Sequence, residues 1–297
     1  MLHPWHMKQQ PTPEPDGSYD ALRDEEAATE VETRAYLLER SKREYAPILK
    51  DFVQSPDKKL ANRAGPLSEF VRNGDLRALR GFLFLHAIIS SGDGDNGWST
   101  TLALGVWARA FDTTTAAEPR SASTAATKML GRLEDRRLIE RDRVGRARKI
   151  TVTLLRPDGQ GKTYTRPGKD NEDRFLKLGN AFWTDGWYKK LDLPATAMLL
   201  VALHEKPGFE LVTERVPDWY GWSADTAERG LRSLEGLGLI KVDKRLKKTP
   251  LSPTGATQVN VYTLIGPFAQ PSPATKKTLK ILKKNITGGR GTRKQTK

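Results

Sequence analysis

The chain has no cysteine. Disulfides, thiolate catalysis and Cys-ligated zinc are therefore excluded. Its four histidines, His3, His6, His86 and His204, make no metal-ligand spacing beyond His3 and His6 near the start. No apolar run approaches the roughly 18 residues of a membrane span. The opening MLHPWHMKQQPTPEPDG lacks the apolar core of a signal peptide. No GxSxG nucleophile motif occurs. Two apparent ligand loops also fail. PDGQGKTY ends as a phosphate loop does, in Gly161-Lys162-Thr163, but Arg156 stands where the first Gly is needed. GDGDNGWST offers Asp93 and Asp95 to calcium, but Gly97 and Leu104 stand where a third ligand and the closing Glu belong. These absences lead us to expect a cytoplasmic chain with no enzymatic activity, no cofactor, no metal and no membrane contact.

What the chain has is positive charge. Fifty Lys and Arg against 36 Asp and Glu leave a formal charge of +14 over 297 residues. Residues 1–56 hold 7 basic against 11 acidic side chains, and residues 276–297 hold 9 basic and no acidic ones. The middle is basic too, so the excess is not a property of the tail alone. Such a balance suits an acidic polyelectrolyte. The length suits about two domains.

The organisation reads as follows. Residues 1–18, with Pro11, Pro13 and Pro15, are expected to be disordered. Residues 19–56 form a charged helical segment with a stripe of Val31, Ala35, Leu38 and Tyr45, which either packs on the body or meets a partner. A first domain spans 70–155, with helices over Leu76–Ser90, Thr100–Phe111 and Ser123–Arg137 and strands over Leu138–Arg143 and Ala147–Leu155. The polar residues 156–178 read as a linker. A second domain spans 179–268, with helices over Leu193–Glu205, Val216–Gly221 and Ser223–Leu237 and strands over Leu239–Leu246 and Gln258–Leu264. Residues 269–297 are a basic tail, either a non-specific DNA clamp, a membrane-surface segment or a solubilising extension. The fold class is mostly α with small β-hairpins. Trp183, Trp187, Trp219 and Trp222 read as packing residues, with base stacking as the alternative.

The two domains repeat one unit. STAATKMLGRLEDRRLIERDR from Ser123 aligns without a gap to ADTAERGLRSLEGLGLIKVDK from Ala224, 101 residues on. Leu130, Leu133, Leu138 and Ile139 match Leu231, Leu234, Leu239 and Ile240. His86 and His204 end the apolar first helix of each copy. Leu231, Leu234 and Leu237 are expected to anchor the third helix, and Gly238 to stop it. The first copy has Arg137 in place of that Gly.

The pattern Gly221, Trp222, Ser223, Thr226, Arg229, Leu231, Leu234, Glu235, Gly238, Leu239, Ile240 resembles the winged helix-turn-helix of bacterial regulators of the GntR and MarR types. The resemblance covers about 50 residues of each copy and implies two tandem winged-helix domains that bind double-stranded DNA. The implied helix contacts are Ser223, Thr226, Arg229 and Arg232 in the second copy and Ser123, Thr124, Thr127, Lys128 and Arg132 in the first. The implied wing contacts are Lys244, Arg245, Lys247 and Lys248, and Arg143, Arg146, Arg148 and Lys149. Asp225 and Glu228 oppose DNA, unless Asp225 serves the helix end. Sequence-specific transcription regulation is the first reading. Replication initiation on a plasmid or mobile element, whose initiators this plan also resembles, is the second. A partition or structural role is the third. A homodimer or an acidic protein partner fits any of them.

Overall fold

A computed structural model describes residues 27–90, 97–114, 119–145, 149–167 and 174–271. The start, the Asp93–Asp95 loop, Arg146, Arg148 and the lysine-rich tail lie outside the described residues. The architecture is mixed α/β, with short helices around three small antiparallel sheets.

Helix α1, Glu30–Ser41, opens on a reciprocal cap in which Thr29 accepts from the Glu32 N–H and Glu32 reaches back to Thr29. It buries Thr33, Arg34, Leu37, Leu38 and Ser41. Of the expected stripe, Leu38 is inside, Val31 and Ala35 face solvent, and Tyr45 is not in the helix. Lys42 turns left-handed and ends it. Pro47, which cannot donate in a helix interior, then favours the extended run β1, Tyr45–Leu49.

The first unit contains α2 (Leu67–Arg72), α3 (Leu76–Ile88), β2 (Ser99–Ala103), α4 (Leu104–Ala110), α5 (Pro119–Asp135), β3 (Ile139–Val144) and β4 (Lys149–Leu154). The expected helix over Thr100–Phe111 is thus strand and then helix. The β-branched Thr100 and Thr101 suit the pleat, and β4 supplies their partners. Helix α5 begins at Pro119, a turn before the expected Ser123. β5, Phe175–Gly179, follows, then the short helices α6 (Ala181–Thr184) and α7 (Trp187–Lys190). The second unit contains α8 (Leu193–His204), β6 (Phe209–Glu210), α9 (Val216–Tyr220), α10 (Ala224–Gly236), β7 (Ile240–Lys248) and β8 (Ala256–Leu264). Each unit orders its three strands alike, β2-β4-β3 and β6-β8-β7.

Residues 156–167 are tied to the first half of the chain. Leu155 bridges Thr163, Arg156 pairs with Asp51 at 3.2 Å, and Tyr164 is buried against His86 and Trp98. β5 then pairs antiparallel with β1. YAPILKDF from Tyr45 and FLKLGNAF from Phe175 are equivalent segments, each ending on a fully buried Phe, Phe52 and Phe182. On this alignment Pro47 matches Lys177, and these two pair with each other at the centre of the register. The flanking hydrogen bonds are reciprocal: the Lys50 N–H donates to Arg174 O and the Asn180 N–H to Glu44 O, both at 2.9 Å. Equivalent residues meeting head to tail define a local two-fold relation between the units. Ala46 and Ile48 with Leu176 and Leu178 seal this sheet into one continuous core. The tryptophans belong to that core: Trp183 and Trp222 are buried, and Trp187 and Trp219 pack against it.

Within each unit the first helix of the repeat crosses its third, α3 over α5 and α8 over α10. Asp75 caps α3 through the Ala78 N–H, and Asp192 caps α8 through the Ala195 N–H. Counting from these caps, Gly81 matches Met198, and His86 matches Leu203 rather than His204. A Cβ on Gly230 of α10 would lie 2.4 Å from Pro194 O and 2.7 Å from Met198 Cγ. In the first unit the sizes are exchanged: a Cβ on Gly81 would lie 2.9 Å from Cε of Met129, the residue that matches Gly230. Each crossing thus holds one glycine and one methionine, on opposite helices.

Both third helices end alike. The Leu138 N–H returns to Leu133 O at 3.1 Å, and the Leu239 N–H to Leu234 O at 2.9 Å. The left-handed residue is Gly238 at φ +68° in one unit and Arg137 at φ +55° in the other. Leu231 and Leu234 are buried as expected, but Leu237 is exposed, because it falls on the turn that leaves the helix.

Gly230→Ala sets a methyl against backbone and is expected to cost about 1–3 kcal/mol. Gly81→Ala meets the flexible end of Met129 and costs less; urea unfolding of the two variants checks the order. His86 is fully buried beside Phe82, and burial, aided by the Arg43 charge, pushes its pKa down to about 3. The fold therefore favours the neutral ring. That contribution is complete above the unfolded value near 6.5 and is lost as pH falls toward 3. His86→Leu, the residue matched in the second unit, is expected to flatten this part of the stability profile. The difference from the parent chain should change by up to about 1.4 kcal/mol per pH unit between pH 6 and 4.

Candidate nucleic-acid interface

In the second unit the Ser223 hydroxyl caps α10 by accepting from the Thr226 N–H at 3.2 Å. The leucines that hold α10 inward leave Asp225, Glu228, Arg229 and Arg232 exposed. Arg229 pairs with Asp225 at 3.1 Å. The acid that opposes a polyanion is thereby tied to the adjacent cation.

The β7–β8 hairpin runs well past the core. In an antiparallel pair, facing residues share a side and successive residues alternate. One side carries the pairs Ile240–Leu264 and Val242–Tyr262, then Lys244–Asn260, Leu246–Gln258 and Lys248–Ala256. The first two pairs meet the core; the last three extend the same side into solvent, with Leu246 76% exposed. The other side carries Arg245 and Lys247, and both bond Glu210 of β6. The hydrogen bond from Lys247, with the charges of both cations, holds the Glu210 carboxyl below the usual carboxylate range. The four wing cations therefore fall into two pairs. Lys244 and Lys248 face outward along the core side without an acidic partner among the described residues. Arg245 and Lys247 are drawn onto Glu210.

The first unit arranges its charge differently. Arg132, expected to be exposed, keeps a partly exposed side chain that donates twice to Asp75, at 2.8 and 3.2 Å. Arg136 joins the same carboxylate at 3.1 Å and lies over the Phe70 ring. Burial works against the Asp75 charge, but Arg132, the Ala78 N–H and Arg136 together hold its pKa below the ordinary value. Arg141 bonds Glu134 and Thr127 O, and so fastens the wing to α5. Thr124 and Thr127 turn their hydroxyls back to Arg120 O and Ser123 O, both at 2.9 Å. Ser123 sits within the helix, not at its cap. Lys128, Arg143 and Lys149 remain exposed, and Lys128 and Arg143 match Arg229 and Lys244 of the second unit.

Sequence reading missed Glu210 and Asp75 as charge partners. Glu210 reaches the wing through a two-residue strand, too short to show a pattern. Asp75 has a visible signal, an Asp before an apolar helix, but that signal announces a cap and not a second role toward α5. No helix among the described residues is long and apolar enough to cross a membrane. No group of three or more His, Asp or Glu among them could hold a metal.

Glu210→Gln releases Arg245 and Lys247 and removes one negative charge. It is expected to delay elution from heparin-agarose and to steepen the salt dependence of retention, with unfolding little changed because the carboxylate is at the surface. Comparison of the chain with family models, curated proteins and solved structures finds no match in any of the three.

Proposed function

We propose that the chain is a sequence-specific double-stranded-DNA-binding protein made of two fused winged helix-turn-helix units, with the second unit as the principal reader and a binding rather than a catalytic role. The observation that carries this reading is the side of the β7–β8 hairpin that continues beyond the core beside α10. It presents Lys244 and Lys248 to solvent, with Leu246 between them. A helix that fits a major groove, flanked by a projecting cationic ribbon, supplies both base-edge and phosphate contacts. Leu246 suits an apolar contact in a minor groove. On α10, Arg232 and Arg229 are the base-reading candidates, with Ser223 and Thr226 at the helix start. Arg245 and Lys247 act on phosphate less directly, through their exchange with Glu210.

Transcription regulation is the process we favour, because two covalently joined reading units suit one compact operator. The contrast between the units also supports initiation of replication, in which one unit mainly docks and the other reads. The consumption of Arg132, Arg136 and Arg141 by internal carboxylates is the observation behind that second reading. Footprinting separates them: iterated repeats beside an AT-rich stretch indicate initiation, and a single site over a promoter indicates regulation.

Lys244→Gln with Lys248→Gln is expected to weaken binding to all duplexes and to reduce the slope of log K against log salt by about 2. Arg232→Ala is expected to cost about 1–3 kcal/mol on the specific site and little elsewhere. Arg132→Ala is expected to lower stability while leaving DNA affinity within about two-fold. Fluorescence anisotropy over a salt series checks all three. Unchanged affinity in the lysine double variant together with Arg232→Ala would defeat the proposal.

A further inference from the structure

A cavity of about 350 Å³ opens between the units. Its floor is α3, through Arg80, Gly81 and Phe84, and one wall is the end of α4, through Phe111 and Asp112. Arg34 closes it from α1, and Trp183, Tyr188 and Lys189 from the second half of the chain. Its volume is that of a small organic ligand site.

Two properties define what fits. The first is an excess of cations. Arg34, Arg77, Arg80 and Lys189 line the cavity with one carboxylate, Asp112. Asp112 is already engaged, since Arg34 pairs with it at 3.0 Å and also donates to the Tyr188 hydroxyl at 2.5 Å. Arg80 donates from one terminal nitrogen to Leu191 O, but its Nε is buried without a hydrogen-bond partner among the described residues. Arg80 also lines the cavity, and an anionic oxygen is the partner that a guanidinium there binds best. Burial already pulls the Arg80 pKa below its ordinary value. The second property is aromatic lining. Phe111, Trp183 and Tyr188 line it with the small part of each ring that is not packed away, backed by the fully buried Phe84, which meets Trp183 edge to face at 5.0 Å. Walls of this kind favour a flat ring.

The cavity is not a by-product of the repeat. Counting from the paired caps, the counterparts of Arg77, Arg80, Gly81 and Phe84 on α8 are Pro194, Ala197, Met198 and Val201. The second helix therefore offers neither the cations nor the ring. We propose that this cavity is a binding site for a small aromatic anion, a flat ring bearing a carboxylate or phosphate. The ring lies against the accessible edges of Phe111, Trp183 and Tyr188, and the acid group meets Arg80, with Arg77 and Lys189 at the mouth. This site is separate from α10 and the wing, and it stands whether or not the chain reads DNA.

Titration of the full chain with phenyl phosphate and with benzoate, followed by tryptophan fluorescence and by thermal unfolding, tests the inference. Saturable quenching and a raised Tm are expected for one or both, and the two probes distinguish a phosphate-bearing from a carboxylate-bearing ligand. Inorganic phosphate and benzyl alcohol, each lacking half of the recognition, are expected to bind at least about ten-fold more weakly. Arg77→Gln and Lys189→Gln change exposed residues at the mouth, so the fold should survive both. Each is expected to weaken binding about three- to ten-fold. No saturable response to either probe up to about 10 mM, an affinity too weak to matter on the usual scale, would overturn the proposal. Equal binding of benzyl alcohol, or unchanged affinity in the Arg77→Gln/Lys189→Gln double variant, would overturn it equally.

Discussion

The pairing of Tyr45–Leu49 with Phe175–Gly179 is the constraint on which the remaining geometry depends. Two strands of five residues are too little to stand alone in water. They persist because one side carries Ala46, Ile48, Leu176 and Leu178, all closed into the core. Each strand leads into its own unit, so the register that joins the strands also sets the attitude of one unit to the other. Further ties across the same junction are polar and specific. Lys50 donates to the carbonyl of His204 at the end of α8, Gln54 to Trp219 O, and the Arg63 N–H to Asp218 O. The two halves are thus built as one body with a local dyad, resembling a dimer whose subunits are joined in a single chain.

Against that symmetry, the charges are distributed unequally. The first unit spends Arg132, Arg136 and Arg141 on Asp75 and Glu134, and gains rigidity between α3, α5 and β3. The second unit has Val242 where the first has Arg141, so its wing is held by apolar contact and its cations stay outside. The ligand-sized cavity follows the same asymmetry, with arginines on α3 where α8 has Ala197 and Pro194. The repeat thus uses Arg132, Arg136 and Arg141 of its first copy to join elements of that unit, where the matching positions of the second copy are Ser233, Leu237 and Val242.

Much of this was legible in the residues. The leucine spacing of α10 and the Ser223 cap located that helix to within a residue, and the repeat located the body of α5 and both antiparallel hairpins. What escaped was long-range or short. β1 and β5 are five residues each, one inside a charged helical pattern and the other at the end of a polar stretch, and neither has meaning without its partner. β2 hid in an apolar run because STTLA is compatible with helix until β4 pairs with it. The histidine match misled by one position: the helices differ by a residue in length, and the caps Asp75 and Asp192 give the correct phase. Charge partners at a distance are not written in local pattern, so the pairing of Glu210 with the β7–β8 hairpin and of Asp75 with Arg132 of α5 went unread.

The exchange of glycine and methionine between the two helix crossings has a consequence for anyone recombining this chain. Moving α5 into the place of α10 would bring Met129 to face Met198, two long thioethers competing for one gap. The reverse transplant would set Gly230 against Gly81 and leave a void where a side chain had been. Neither α5 nor α10 is a portable cassette, and any shuffling of the two halves must carry the opposing helix, α3 or α8, along with it, or be confined to the outward side chains.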